Sequence, residues 1–440
     1  MAAPITGSGA AGGGAAAGSR TTTVLLLVFA VFFLLGGVTN INDLLVGKFK
    51  PMFQLTHAQA NLVQMAFFIA YALVSIPAGI VMGKLGYIRT FVLGFLMVAG
   101  AALLFIPASA SASFPGFLAA LFCIGAGITV LQVAMNPVIT TLGPVETSHS
   151  RLTFAQAFNS IGVFLMVYGG ARVLLGDAKP IDAATATAEQ LQAYRVEQGA
   201  SIGHAYMWLA IVMLGIAALF WMFRSVLDHA KAEEAKVEGT LALLKSNRRV
   251  QLGALGIFTY VGAEVAIGSN LIAYLGDQSV MGLSLENAGK LVAYYWLGAL
   301  IGRLAGGFIL RLAKPGRVLT AFAAGAIGLI LVSAMSSGAA SGFALVAVGL
   351  CNSLMFPTIF SLGTEGLGER TPQGSGILCT AIVGGAIIPY LFGTVADVTH
   401  DLRLALIVPA LCYGFIALFG IWAVSNPSAG KGGTQGPVYD

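Results

Sequence analysis

Long apolar stretches separated by short polar breaks make up nearly the whole chain. No charged side chain occurs in residues 90–145, between Arg89 and Glu146, or in residues 318–364, between Arg317 and Glu365. A membrane-spanning helix takes about 20 mostly apolar residues at about 1.5 Å each, so each run holds two spans and a short turn. Cutting the rest of the chain at Pro, Gly and charge predicts twelve spanning helices, at about 23–46, 58–82, 87–107, 114–141, 150–175, 203–224, 248–275, 287–311, 317–335, 340–363, 372–397 and 403–424. They are numbered spans 1 to 12 below. Glycine faces recur within them, such as Gly125 with Gly127, and Gly298, Gly302, Gly306 and Gly307. Such glycines weaken a helix in water but let helices approach closely in a bilayer, so they read as packing surfaces.

Composition excludes whole classes of protein. Of 440 residues 57% are hydrophobic and 9% charged, with mean hydropathy +0.87, whereas a soluble domain carries about 25% charged residues. A soluble enzyme, a disulfide scaffold and a nucleic-acid binder are therefore ruled out. The net charge of +5 belongs to loops between spans. Residues 1–22, mostly Gly, Ala and Ser, have no apolar core and read as a disordered leader. Residues 425–440 read as a disordered tail. Cys123, Cys351, Cys379 and Cys412 lie inside apolar runs, as small packing residues would. No metal-ligand spacing occurs, and no cofactor is expected.

Charge also orients the chain. With the N-terminus in the cytoplasm, sixteen of the 23 Lys and Arg residues fall on the cytoplasmic side and seven on the other. That bias predicts an even number of spans with both termini inside. The polar segment 225–247 splits the chain into six-span halves, 23–224 and 248–424. The halves share a weak repeat: AGITVLQVAMNPVITTLG, starting at Ala126, lines up with VAVGLCNSLMFPTIFSLG, starting at Val346. Met135, Pro137, Ile139, Leu142 and Gly143 match Met355, Pro357, Ile359, Leu362 and Gly363. The expected fold is all-α: two pseudo-symmetric six-helix bundles facing one another across a cavity, the major facilitator architecture.

Polar groups inside the spans are the candidate chemistry, because an ionisable residue there costs at least a few kcal/mol to insert. Asp43 lies in TNINDLL in the outer part of span 1, and Asn40, three residues earlier, shares its face. Glu264 sits deep in span 7; it must be protonated, ion-bound or hydrogen-bonded, with Tyr260, Ser269 and Asn270 as partners on its own helix. Span 4 carries Gln132 and Asn136 four residues apart, and span 5 Gln156 and Asn159 three apart. Amides donate and accept at once, which suits sugar hydroxyls. Tyr294, Tyr295 and Trp296 offer rings for stacking on a pyranose. Arg303 in span 8, with Lys84 and Arg89 in the equivalent region of the first half, reads as part of an inner gate. Glu146 with Arg151, and Glu365 with Glu369 and Arg370, read as gate salt bridges.

These strings resemble the fucose–galactose–glucose symporters of the major facilitator superfamily over most of the chain. The resemblance rests on TNINDLLVGKFK, AQANLVQMAFFIAYALVSIPAGIVMGKLGY, LQVAMNPVITTLGP, RLTFAQAFNSIG and YVGAEVAIGSNLIAYL. It implies proton-driven monosaccharide uptake across a bacterial inner membrane, with Asp43 as the matching span-1 carboxylate. L-fucose members carry a glutamate where Gln132 stands, so the amide points to glucose, galactose or N-acetylglucosamine. Some relatives use sodium, which leaves H+ or Na+ open, with Asp43 or Glu264 as the ion site. An exporter and a non-transporting sugar sensor are the rival readings. The chain is expected to work as a monomer in the lipid bilayer.

Overall fold

A computed structural model describes residues 11–141, 148–176, 186–222, 224 and 240–427, and every regular element among the described residues is helical. Eleven helices are long and apolar enough to cross a bilayer. They are span 1 (Leu26–Phe53), span 2 (Leu62–Leu85), span 3 (Tyr87–Ala110), span 4 (Phe114–Met135), span 5 (Phe154–Leu175), span 6 (Ala188–Met222), span 7 (Arg248–Gly276), span 9 (Pro315–Met335), span 10 (Gly338–Thr364), span 11 (Gln373–Thr399) and span 12 (Leu402–Ser425). Span 8, Leu285–Leu312, is a 28-residue helix packed among them, and it completes the expected twelve. The face where span 1 begins and span 12 ends is the near face below; the opposite one is the far face.

Two boundaries differ from expectation, each for a physical reason. Span 1 runs on to Phe53 instead of stopping near 46. Its helix is interrupted at Ile41 and restarts at Asn42. Lys48 marks no wet end there. It is buried, and its ammonium donates to the Leu174 carbonyl, Gln198 Oε1 (3.2 Å) and Ser201 Oγ (3.0 Å). Span 6 starts at Ala188 rather than near 203. Thr187 and Gln190 close a capping box there, with Gln190 N–H on Thr187 Oγ1 at 3.2 Å and Thr187 N–H on Gln190 Oε1 at 2.9 Å. Its 35 residues make a helix of about 52 Å, longer than the ~30 Å apolar layer. The polar first turns therefore extend past that layer.

The packing repeats itself. In the first half span 1 packs on 5, span 2 on 4, and span 3 on 4 and 6; in the second, span 7 packs on 11, span 8 on 10, and span 9 on 10 and 12. Adding six to each number of the first set gives the second. The halves meet where span 5 packs on 8, span 2 on 11 and span 1 on 7, which obeys the same relation. Backbones touch at corresponding places. A Cβ on Gly162 would lie 1.8 Å from the Phe33 carbonyl oxygen, and one on Gly384 1.9 Å from that of Phe258. Only glycine permits either seam. Gly298 and Gly302 likewise press on Leu350 and Ser353 of span 10.

Candidate functional site

Among the described residues the interface between the halves is polar at four places, and Asp43 anchors the first. It lies ten residues from the far end of span 1, about 15 Å along the helix. The side chain is buried and takes donors from both bundles. Gln64 Nε2 of span 2 (2.9 Å) and Ser269 Oγ of span 7 (2.9 Å) donate to Oδ1, and Trp296 Nε1 of span 8 (3.1 Å) donates to Oδ2. Gln64 Nε2 also donates to Ser269 Oγ at 2.7 Å. Nearer the far face, Asn61 and Asn270 exchange amide hydrogen bonds of 3.0 and 3.1 Å across the interface.

At the far face itself the bundles are tied by Asp397 of span 11. Its Oδ1 accepts the His57 backbone N–H (2.7 Å) and its Oδ2 that of Ala58 (2.9 Å). These are the first free donors of the turn leading into span 2. Thr56 Oγ1 accepts the next, from Gln59 (3.2 Å). A helix start leaves its first N–H groups without partners. Here the cap is shared between two bundles: the turn supplies one acceptor, and the opposite bundle supplies two.

Glu264 anchors a second cluster, inside the C-terminal bundle near mid-depth. Tyr260 OH donates to its Oε1 at 2.8 Å and to the Asn352 carbonyl at 3.0 Å. Tyr295 OH donates to the Glu264 backbone oxygen (3.0 Å) and accepts from Asn352 Nδ2 (2.6 Å), while Tyr413 OH donates to Asn352 Oδ1 (2.7 Å). Asn352 is the last residue before span 10 breaks at Ser353–Leu354, so three tyrosines fix the break. Arg303 supplies positive charge toward Glu264 from span 8, and its Nη1 reaches Ser160 Oγ of span 5 at 2.6 Å.

In the N-terminal bundle Gln132 is half-buried, and its side chain and that of Thr39 lie close to the Tyr71 hydroxyl. Gln156 is half-buried on span 5. Asn42 is buried, and its Nδ2 has no hydrogen-bond partner among the described residues.

The remaining expected residues are placed as follows. Asn40 bonds its own helix at the Gly36 carbonyl (2.9 Å), and Asn159 bonds the Phe32 carbonyl across the span 1–5 seam (3.1 Å). Of the partners expected for Glu264, Tyr260 is one, whereas Ser269 serves Asp43 and Asn270 serves Asn61. Tyr294 does not stack in the interior: it is 46% exposed and lines an outward apolar groove with Leu291, Gly298 and Phe343. Lys84 and Arg89 are exposed at the near face. Glu365 pairs with Arg249 of span 7, inside one bundle, while Arg370 is exposed. Glu146 lies outside the described residues, as do the side chains of Asn136, Arg151 and Glu369. Gln64, Asn61, Lys48, Asn352, Tyr413 and Asp397 were not singled out from sequence. For Gln64 and Asn61 a signal existed, two amides three residues apart in an apolar run.

Comparison with known proteins agrees with this architecture. The family model for the Major Facilitator Superfamily matches residues 24–389. A glucose/galactose transporter of Brucella abortus is 41% identical over 392 residues, covering 89% of this chain and 91% of that one. The L-fucose-proton symporter of Escherichia coli is 34% identical over 398 residues, covering 88% and 90%. Among solved structures, the transporter FucP in its outward conformation superposes with a TM-score of 0.69 at 33% identity, over 92% of this chain and 99% of that one. With the family model covering most of its length and two bundles packed in the repeated order, the chain belongs to the major facilitator superfamily.

Proposed function

We propose that this protein is a proton-coupled sugar symporter that carries a hexose of the glucose/galactose type into a bacterial cell. The near face is the cytoplasmic side, so both termini lie inside, and one chain is the working unit. The observation that carries the reading is a single carboxylate, Asp43, held on the line between the bundles by donors from both. The names of the relatives, a glucose/galactose transporter and an L-fucose-proton symporter, support the cargo class and the ion.

The geometry suits alternating access. Among the described residues, hydrogen bonds cross between bundles toward the far face at the Asp43 group, Asn61–Asn270 and Asp397 on the turn before span 2, and on the near side of mid-depth at Arg303–Ser160. With the far-face bonds made, the outside is closed in this structure. In the outside-open form Asp43 takes a proton from the external water, and sugar enters between Gln132 and Gln156 on one side and Glu264 on the other. Loading removes the net charge that the closing far face must bury, and burying an ion costs several kcal/mol. The bundles then rock together at the far face, and proton and sugar leave toward the cytoplasm. Inward movement of one charge gains about 2.3 kcal/mol per 100 mV.

The test is uptake into proteoliposomes with imposed pH or sodium gradients, against glucose, galactose, mannose, fucose and N-acetylglucosamine. Accumulation of glucose or galactose under a pH gradient, lost in D43N while sugar exchange persists, is the expected result. Accumulation that follows sodium at constant pH and voltage overturns proton coupling. D43N vesicles that still concentrate sugar overturn the role of Asp43.

A further inference from the structure

We infer that the Gln64 side-chain amide is the partner that turns over when Asp43 gains or loses its proton, which makes Gln64 a positioning residue for coupling. The inference rests on the reading of Asp43 as the proton site.

Gln64 is 1% exposed and joins three elements. As oriented, its Nε2 donates to Asp43 Oδ1 at 2.9 Å and to Ser269 Oγ at 2.7 Å, while Ser269 donates to the same Asp43 oxygen at 2.9 Å. Every hydrogen in this triangle points toward Asp43 or toward the serine that serves it. That is the pattern an ionised carboxylate needs, because it only accepts.

A protonated Asp43 reverses the requirement, since it now carries an O–H that must find an acceptor. The serine oxygen already takes the Gln64 donor and has its own O–H to place. The amide oxygen of Gln64 is the unused acceptor: Oε1 is buried without a hydrogen-bond partner among the described residues. Rotation of the amide by about 180° carries Oε1 to where Nε2 stands, within reach of both Asp43 and Ser269. It then accepts the Asp43 O–H and the Ser269 O–H together. Because nothing holds Oε1 now, the rotation breaks no bond except the two it remakes. No covalent bond is exchanged beyond the proton on Asp43.

The turnover has a mechanical consequence. With Asp43 ionised, Ser269 of the C-terminal bundle is bonded to Asp43 itself, by a charge-assisted bond. With Asp43 protonated, Ser269 is bonded to Gln64 instead, by a neutral one, and charge-assisted bonds are roughly twice as strong. Ser269 therefore holds span 1 when Asp43 is ionised and span 2 when it is protonated, and the weaker neutral bond offsets only part of what neutralising a buried charge gains for closure.

Other groups facing Asp43 do not supply this function. From span 8 Trp296 only donates, at 3.1 Å to Oδ2. Glu264 of span 7 acts on Asp43 through charge alone, and the Tyr295 hydroxyl of span 8 is turned to the Glu264 carbonyl and Asn352. Lys48 of the same span is turned to Leu174, Gln198 and Ser201.

The test uses purified full-length protein in liposomes, with Gln64→Met to keep the side-chain length and remove the amide. Sugar counterflow should stay within about threefold of wild type, while accumulation under a pH gradient falls about tenfold, the weight of one hydrogen bond. Infrared difference spectra across the titration carry the structural readout. The carboxylic C=O stretch of Asp43, identified by its absence in D43N, should move up in Q64M, as for an acid that has lost its acceptor. In the wild type with labelled glutamine, an amide C=O band should change with the same midpoint and vanish in D43N. That wild-type measurement stands even if Q64M fails to fold. Wild-type accumulation in Q64M, a carboxylic band that moves in S269A but not in Q64M, or a glutamine band that ignores the titration overturns the inference. If D43N itself accumulates sugar, the failure belongs to the reading of Asp43 instead.

Discussion

Replacing Asp397 by Asn should loosen the far face by an amount the structure allows one to work out. The carboxylate accepts two backbone N–H groups, at 2.7 and 2.9 Å, from the turn that leads into span 2. Hydrogen bonds to a charged group contribute about 1.5–3 kcal/mol each, and a charge at a helix start adds about 0.3–1 kcal/mol. Most of that is returned when the face opens, because Asp397 is only half-buried and water then replaces the partners. Asn keeps one acceptor but turns an NH2 toward the second N–H. The net loss for the closed form is about 1–2 kcal/mol, which moves the closed-to-open ratio about five- to thirtyfold. Gly393 makes compensation by backbone shift difficult, since a Cβ there would already lie 2.6 Å from Ala58 N. Spin labels at the exposed positions Ser111 and Val398 report the gap between bundles on this face. The variant should gain a longer-distance population without sugar, and external sugar should bind more tightly because less of the protein is closed to it. A distance distribution identical to wild type would refute the shared cap as a determinant of closure.

Three further outcomes follow from the same structure. Q132A should weaken sugar binding by about 1–3 kcal/mol, about five- to 150-fold, since it strips an amide from beside Tyr71; unchanged affinity by calorimetry removes Gln132 from the site. Acid should open the far face through His57, which lies outside the spans. Burial and the Lys50 charge push its imidazole down to about 4, against the pull of Asp397. The far-closed form then binds fewer protons than one with His57 in water, so its advantage is complete above pH ~6.5 and shrinks as pH falls toward 4. The spin-label distances should lengthen over that window in wild type and stay flat in H57Q; equal slopes in both would exclude His57. Reporter fusions after Gly176 and after Lys236 should land on opposite sides of the membrane, and finding both on one side contradicts twelve spans with the termini inside.

Much of this fold was legible because a bilayer imposes it. Uncharged runs of fixed length have few alternatives to spanning helices, and a duplicated pattern with a polar segment in the middle implies two bundles. Asp43 and Glu264 stood out because a carboxylate in an apolar run needs a reason. Their partners were less legible. Ser269 and Asn270 are five and six residues from Glu264, which puts them about 120–140° round the helix; Tyr260, four residues away, shares its face. Helical spacing alone selects the tyrosine. The bonds from Gln64 to Ser269 and from Trp296 to Asp43 join residues 205 and 253 positions apart, and only the packing of one half on the other brings them together. Lys48 and Asp397 were hidden differently. A charge near the end of a span looks like a wet boundary residue, and here both are engaged by other helices.

The scaffold repeats, but the ionisable groups do not, and that difference bears on how the protein works. Matching the corresponding seams, Phe33 with Phe258, places Asp43 opposite Gly268 and Glu264 opposite Thr39. Neither carboxylate has an ionisable counterpart in the other half. A Cβ on Gly268 would lie 3.2 Å from Asp43 Oδ2, so the second half leaves room for the carboxylate rather than repeating it. Two equivalent carboxylates in that space would repel one another across the interface. With one, a single proton decides the charge at that depth of the interface. The repeated packing lets the two bundles rock between related arrangements, and the unrepeated charges can assign them different tasks. Asp43, bonded to both bundles, is placed to sense their relative position. Glu264 is held inside one bundle by Tyr260, with Tyr295 and Tyr413 fixing Asn352 beside it. That frame moves with the C-terminal bundle as a unit, which suits a sugar ligand better than a coupling site.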